Sequence, residues 1–259
     1  MDSWAGETTV LNNQYVHSKT SFYNFCAQEL LDLLTLRPGM RVLDLAGGAG
    51  VVSRMILERE PQAKITLLDV SGEQLALAKK VFGDHIEYVQ ASAEQYTPSE
   101  PFDVIVCANA FWYLHYSVIA NIASWLKPTG VFVFNLHEKN SYFKDVSFFA
   151  KLASEMDRAC RERFRTACIL YAPTVNVEQI EQQLMSAGLM IEKKEAAYEE
   201  PKENWHTLCE LQARRTAPYI ALSIEPDAKL ALYRQAFKAV AKQDGKVERH
   251  TLLVRCQKA

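Results

Sequence analysis

Short apolar runs alternate with longer amphipathic stretches along the first 140 residues, and the two periods separate strands from helices. Phe22, Phe25, Leu30, Leu31 and Leu34 recur at helical spacing, and Arg37-Pro38-Gly39 ends that helix. Arg41–Leu45 reads as the first strand and feeds the run Ala46-Gly47-Gly48-Ala49-Gly50. A helix over about 51–60 follows and stops before Pro61. Lys64–Asp69 is the second strand, and Ser71 with Gln74 forms a capping-box signature for the next helix. Ile86–Gln90, Phe102–Ala108 and Val131–Leu136 supply three more strands, the last preceded by a helix near 118–126 and a turn at Lys127–Gly130.

Strands that are apolar throughout and alternate with helices predict a parallel sheet covered on both faces. Right-handed crossovers then place the strand-to-helix loops on one edge, where ligands bind in such sheets. Beyond this region the pattern loosens. Residues 140–170 look helical, Asn176 with Gln179 caps a helix ended by Gly188, and Leu189–Ala196 reads as a sixth strand. A helical stretch over about 200–243 precedes a last strand at Val247–Cys256. The predicted fold is α/β, a Rossmann-like doubly wound, seven-stranded, mostly parallel sheet with inserted helical segments. Residues 1–40 form an N-terminal helical cap, and 41–259 form the ligand-binding domain, with insertions near 140–170 and 200–243 expected over the ligand edge as a lid. Residues 1–20 have weak periodicity but carry Trp4, Tyr15 and His17, the last two placed to close a pocket.

Composition narrows the class. With 49% hydrophobic and 23% charged residues in 259, the chain is an ordinary globular sequence rather than a disordered one. A net charge of −2 gives no global attraction to nucleic acid. The one basic run, Arg158–Arg165, reads as the solvated face of a helix whose buried stripe is Phe149, Met156, Cys160 and Phe164. No apolar run approaches the roughly 18 residues of a membrane helix. The polar first residues do not read as a secretory signal. Six scattered cysteines show no metal-type spacing, and Cys107 lies in an apolar strand as a small hydrophobe. A soluble protein of the cytoplasm, without metal, is expected, and a homodimer stays open.

The run at 44–50 carries the sharpest chemistry. Small residues at 46–50 let the backbone approach a ligand, and the helix start that follows offers N–H groups suited to a carboxylate. Asp69 ends the next strand, where a carboxylate can accept both hydroxyls of a ribose, so turn and acid together describe a nucleoside-containing cofactor. A dinucleotide fingerprint requires a third glycine where this chain has Ser53. Asp44 adds negative charge beside the turn, which disfavours a pyrophosphate and favours an ammonium or a sulfonium.

Val42-Leu43-Asp44-Leu45-Ala46-Gly47-Gly48-Ala49-Gly50 resembles the V-L-D-x-G-x-G-x-G motif of class I S-adenosylmethionine (SAM)-dependent methyltransferases, especially the UbiE-like small-molecule type, with Ala46 in place of the first glycine. The resemblance continues through Leu68-Asp69, Ala91–Glu94, Phe102–Ile105 and Leu126–Gly130. It implies SAM as the cofactor, held along Ala46–Gly50. Gly47 and Gly48 would pass close to its methionine part near Asp44, Asp69 would hold the ribose, and Val70 would lie against the adenine. Ser92 stands where the family often has an Asp that contacts the adenine amine, Ala93 offers its N–H there, and Asn109 would line the methionine side.

Asn109–His115 clusters aromatic rings beside one imidazole, a wall suited to a flat substrate and a sulfonium. His115 is the first candidate base and Tyr113 its partner, against the plainer reading in which Phe111, Trp112 and Leu114 are core and His115 caps a helix. His206, beside Trp205, is the second candidate. Asn109-Ala-Phe-Trp112 lacks both prolines of the N-P-P-[YF] motif of nucleic-acid amino-methylating enzymes. The leading reading is methyl transfer to an O, N or C atom of a small, aromatic or apolar metabolite, with no nucleic-acid or membrane partner. An RNA or protein methyltransferase, or a SAM-binding protein that does not methylate, is the alternative.

Overall fold

The computed structural model describes residues 18–137, 148–168, 176–220 and 223–258. Trp4, Tyr15 and His17 lie outside the described residues, as do parts of the predicted 140–170 insertion. Along the chain the elements are α1 (Phe22–Leu31), β1 (Arg41–Leu45), α2 (Val51–Arg59), β2 (Lys64–Asp69) and α3 (Gly72–Phe82). Next come β3 (Glu87–Gln90), β4 (Phe102–Cys107), a 3-10 turn (Phe111–Tyr113), α4 (Val118–Trp125) and β5 (Leu126–His137). The remainder is α5 (Phe148–Phe164), α6 (Val177–Ser186), β6 (Leu189–Glu199), α7 (Trp205–Thr216), α8 (Pro226–Asp244) and β7 (Glu248–Lys258).

The seven strands form one sheet in the order β3-β2-β1-β4-β5-β7-β6. β1 runs parallel to β2 and β4, β2 to β3, and β4 to β5, whereas β7 runs antiparallel to β5. The predicted mostly parallel Rossmann-like sheet is therefore present. Ser71 and Asn176 accept the N–H groups of Gln74 and Gln179 at 3.3 and 3.1 Å, so both caps form as read. The fifth strand is longer than predicted: it begins at Leu126, directly after α4, where a turn was expected. The predicted helical stretch over 200–243 divides into α7 and α8. Pro218 in a short 3-10 turn and Pro226 at the start of α8 remove two backbone donors there.

The chain separates into two compact units. One comprises 25–137, 176–196 and 251–259 and holds most of the sheet. Its core joins Val42, Leu67, Val104, Val106, Val133 and Leu253 from the strands to Leu30, Ile56 and Ala78 from the helices. At the strand starts, Asp103 accepts the Arg41 N–H and both of its oxygens face Lys127, at 2.8 and 2.7 Å. These partners outweigh partial burial and hold its carboxyl below the usual range.

The other unit comprises 1–24, 138–175 and 197–250. Within it Phe148 of α5 meets Phe237 of α8 edge-on at 5.0 Å. Glu210 accepts from Arg214 and Arg234, and these bonds hold its carboxyl down at about 2 against partial burial. Arg249 is buried beside Glu200, its guanidinium 3.8 Å from the Phe22 ring centroid. The basic run on α5 is a solvated face, as predicted, with Arg158 paired to Glu155 and Glu162 and Arg161 to Asp157.

Candidate functional site

Three left-handed residues shape the turn after β1: Ala46 (φ 54°), Gly48 (φ 56°) and Gly50 (φ 82°). A Cβ on Gly50 would stand 2.5 Å from Phe82, so only glycine fits there. A Cβ on Gly47 would fall 2.5 Å from the Asp44 carboxyl carbon. Around Gly48 the nearest atom to such a Cβ is 3.8 Å away, so this is the position left open. Ala46 adopts the same region with a side chain, at a cost of about 1–2 kcal/mol.

Asp44 lies underneath the turn. It is 1% exposed, and one carboxylate oxygen accepts both the N–H and the hydroxyl of Ser53, at 3.0 and 2.7 Å. Burial pushes its pKa up to about 6 against those two bonds, and nearby Asp69 pushes the same way. Ser53, which breaks the dinucleotide pattern in the sequence, is thus the group that fastens the acid to the start of α2. The Cys107 thiol on β4 feels the same burial and both carboxylates, which push its pKa far up. It is a core group rather than a nucleophile.

Asp69 sits level with the turn at the end of β2. One oxygen accepts the Gly48 N–H and the other the Ser71 N–H, both at 2.8 Å. Gly47 donates to Leu68 O at 3.2 Å and Gly50 to Gly47 O at 2.9 Å. The N–H groups of 47, 48, 50 and 53 are therefore engaged by the protein itself. The turn thus presents two carboxylates, beneath and beside Gly48, and Asp44 takes the Ser53 N–H of the helix start. Such a field repels a pyrophosphate and attracts a cation. Each oxygen of Asp69 keeps a lone pair for a further donor, as a ribose hydroxyl would supply. Val70 follows with 66% exposure, an apolar surface beside the acid. Across β3, Ser92 is half-buried and Ala93 buried, and the Ala93 carbonyl accepts from Asn121 on α4 at 3.3 Å. A sulfonium-bearing nucleoside fits this set.

Asn109 ends β4 in the left-handed region, φ 59°. Its N–H donates to Asn135 Oδ1 at 2.7 Å, and its side-chain oxygen accepts from Asn135 Nδ2 at 3.2 Å. The aromatic wall is only partly a wall. Phe111 is buried and stacks on Phe134 with centroids 4.1 Å apart, as core. Trp112 is half-buried and lies 4.4 Å from the ring of His137. Tyr113 is 76% exposed. His115 is exposed, with Nδ1 2.9 Å from Ser117 Oγ and accepting the Ser117 N–H at 3.2 Å, a turn just ahead of α4. His206 is exposed on α7, in the other compact unit. Sequence reasoning missed Asn135, His137 and Thr251. The signal for Asn135 and His137 was polarity at the end of the otherwise apolar Val131–His137 run, and Thr251 carried none.

Residues 42–130 match a family described as a methyltransferase domain. The malonyl-[acyl-carrier protein] O-methyltransferase of Halalkalibacterium halodurans is 28% identical over 44% of this chain and 45% of its own length. A ribosomal RNA small subunit methyltransferase H of Nostoc is 39% identical over 30% of this chain and 28% of its own. The chain thus spans less than half the length of these relatives. Among solved structures, a phosphoethanolamine N-methyltransferase of Haemonchus contortus, in complex with phosphomonomethylethanolamine and S-adenosylhomocysteine, superposes with a TM-score of 0.61. That match has 16% identity and covers 99% of this chain and 58% of the other, a likeness of fold. Among the described residues no helix is long and apolar enough to cross a membrane, and no cluster of His, Cys, Asp and Glu suits a metal ion.

Proposed function

We propose that the whole chain is a class I SAM-dependent methyltransferase, which binds SAM and transfers its methyl group to an O, N or C atom of a small metabolite; the match of residues 42–130 to a methyltransferase domain supports this reading. The observation that carries the reading is the pair of carboxylates, Asp44 and Asp69, set around the open face of Gly48. Bound SAM supplies an electrophilic methyl group on a sulfonium. Gly47, Gly48 and Ala46 line the backbone approach to its methionine part, Asp69 holds the ribose hydroxyls, and Val70, Ser92 and Ala93 border the adenine. Asp44 keeps the turn in shape from below, through Ser53, and Gly50 closes it onto Phe82.

Methyl transfer is an in-line displacement, so the chain contributes chiefly orientation and exclusion of water. A base matters only for a nucleophile that carries a proton of high pKa. His115, with Tyr113 beside it, is the candidate for that step on the exposed rim after β4, and His206 is the second. The segments 140–170 and 200–243 are the candidate helical insertions of the domain that starts at residue 41, and they would carry acceptor choice. The small-molecule reading is favoured over RNA by the charge of −2 and by the self-paired arginines of α5.

Calorimetry with SAM and with NAD tests the cofactor: SAM binds and NAD does not, whereas the reverse result overturns the proposal. Incubation with methyl-tritiated SAM and fractionated cell extract then tests transfer. Label in a low-molecular-weight product supports the reading, and label confined to RNA or protein, or none at all, refutes it.

A further inference from the structure

Asn135 is a polar residue enclosed in the sheet. It is 0% exposed near the end of β5, a place where Leu or Val would satisfy packing at no polar cost. Its amide is nevertheless fully engaged. The oxygen accepts the Asn109 N–H at 2.7 Å, and the nitrogen lies 3.2 Å from Asn109 Oδ1 and 3.1 Å from Thr251 Oγ1. Thr251, also 0% exposed, passes its own proton to the Leu136 carbonyl at 3.1 Å. This chain of donors admits one orientation of the amide only. A flipped Asn135 would set its NH2 group against the Asn109 N–H.

Asn135 therefore ties three strands together at one level: β4 through Asn109, β5 through itself and β7 through Thr251. The level is that of the ligand edge, since Val106 of β4 pairs with Asp44 of β1 and Cys107 of β4 with Phe134 of β5. Asn109 leaves β4 in a left-handed conformation that an Asn tolerates but does not prefer, and both of its bonds to Asn135 hold it there. Two residues on, His137 Nδ1 lies 3.4 Å from the same amide nitrogen, and its ring packs on Trp112.

We propose that Asn135 is the positioning residue of the acceptor-side edge, fixing the Asn109 turn and the Trp112–His137 pair at the ends of β4 and β5. The use of that edge for methyl transfer rests on the function proposed above; the positioning itself does not. Asn135 acts through Asn109 and His137 and touches neither ligand.

Two readouts test it. In ligand-free protein, the titration of His137 is followed by histidine NMR and assigned by its loss in His137→Gln. Asn135→Asp places a carboxylate beside the ring and raises the His137 midpoint by about one pH unit or more. S-adenosylhomocysteine binding is measured by calorimetry. Asn135→Leu weakens it about tenfold, the scale of one lost hydrogen bond to a buried polar group, and adding Asn109→Gly restores most of the loss by making the left-handed turn free of strain. An unchanged His137 midpoint in Asn135→Asp overturns the inference even if Asn135→Leu fails to fold. An Asn135→Leu protein that folds and binds within twofold of wild type also overturns it. If wild type itself does not bind S-adenosylhomocysteine, the methyltransferase reading falls, and the His137 titration still decides the positioning role.

Discussion

Asp69 and Gly48 are joined by a single 2.8 Å hydrogen bond from backbone to carboxylate, which locks the acid that ends β2 against the glycine turn that ends β1. The same side chain thus shapes the turn and, in the proposed function, binds the ribose. Asp69→Ala removes both roles. Charge-assisted bonds of this kind are worth about 1.5–3 kcal/mol, so SAM affinity should fall roughly 10- to 100-fold. Calorimetry checks this, and unaltered binding would remove Asp69 from the site.

Asp44 gives a pH dependence with a definite sign. Its folded pKa of about 6 stands above the ordinary value of 3.8, so between these two the folded chain holds the proton more tightly than the unfolded one. Stability then falls as pH rises through that window, by about 1.4 kcal/mol for each pH step of one, and is flat above it. Asp44→Asn should flatten the decline. Urea midpoints from pH 4 to 7, wild type against variant, make the comparison; parallel curves would show that Asp44 is not strained by burial.

Glu210 works in the opposite direction. Its pKa is held at about 2, below the ordinary 4.5, so its contribution is present above 4.5 and drains away as pH falls toward 2. Glu210→Gln should destabilise the chain at pH 7 by about 1–3 kcal/mol, leaving two arginines without their carboxylate, and by much less near pH 2. Thermal melts at both pH values would detect the difference.

Ala46 occupies a left-handed turn position. Glycine there would save about 1–2 kcal/mol of local strain and give back about 0.5–1 kcal/mol in chain entropy. Ala46→Gly should therefore raise stability slightly, by no more than about 1 kcal/mol, without weakening SAM binding. A loss of stability in chemical denaturation would mean that the methyl group has packing value greater than the strain.

His115→Ala separates catalysis from turn formation. A base contributes about 100-fold or more to turnover, whereas a lost hydrogen bond to Ser117 costs only about 1 kcal/mol of stability. Label transfer from SAM in extract, with SAM affinity measured alongside, distinguishes these outcomes. Intact turnover would leave His115 as a turn residue bonded to Ser117.

The parallel half of the sheet was legible because β1 to β5 are mostly apolar runs that alternate with helices in regular order. The glycine turn was legible for a related reason: its own residues, Asp44 to Ser53, are contiguous, although Asp69 and Phe82 also shape it. Asn135 was not, because its partners lie 26 positions back in Asn109 and 116 positions on in Thr251, and no periodicity connects them. Ser53 was seen only as a missing glycine, since a buried carboxylate's need for a donor becomes visible once Asp44 is known to be enclosed. Part of the aromatic cluster at 109–115 proved to be packing, as Phe111 on Phe134 shows, because ring spacing alone does not tell a wall from a core.

The place of β7 has a consequence for the making of the protein. Last of the strands along the chain, it is inserted between β5 and β6, so those two lie apart until it arrives. A nascent chain halted at residue 247 would leave the inner edge of β5 unpaired, with apolar Val131–Leu136 along it, the kind of edge that recruits chaperones or neighbouring chains. Covering that edge therefore depends on residues 248–258. Protease protection of the β5 segment should be present in the full chain and lost in a purified chain truncated after residue 247.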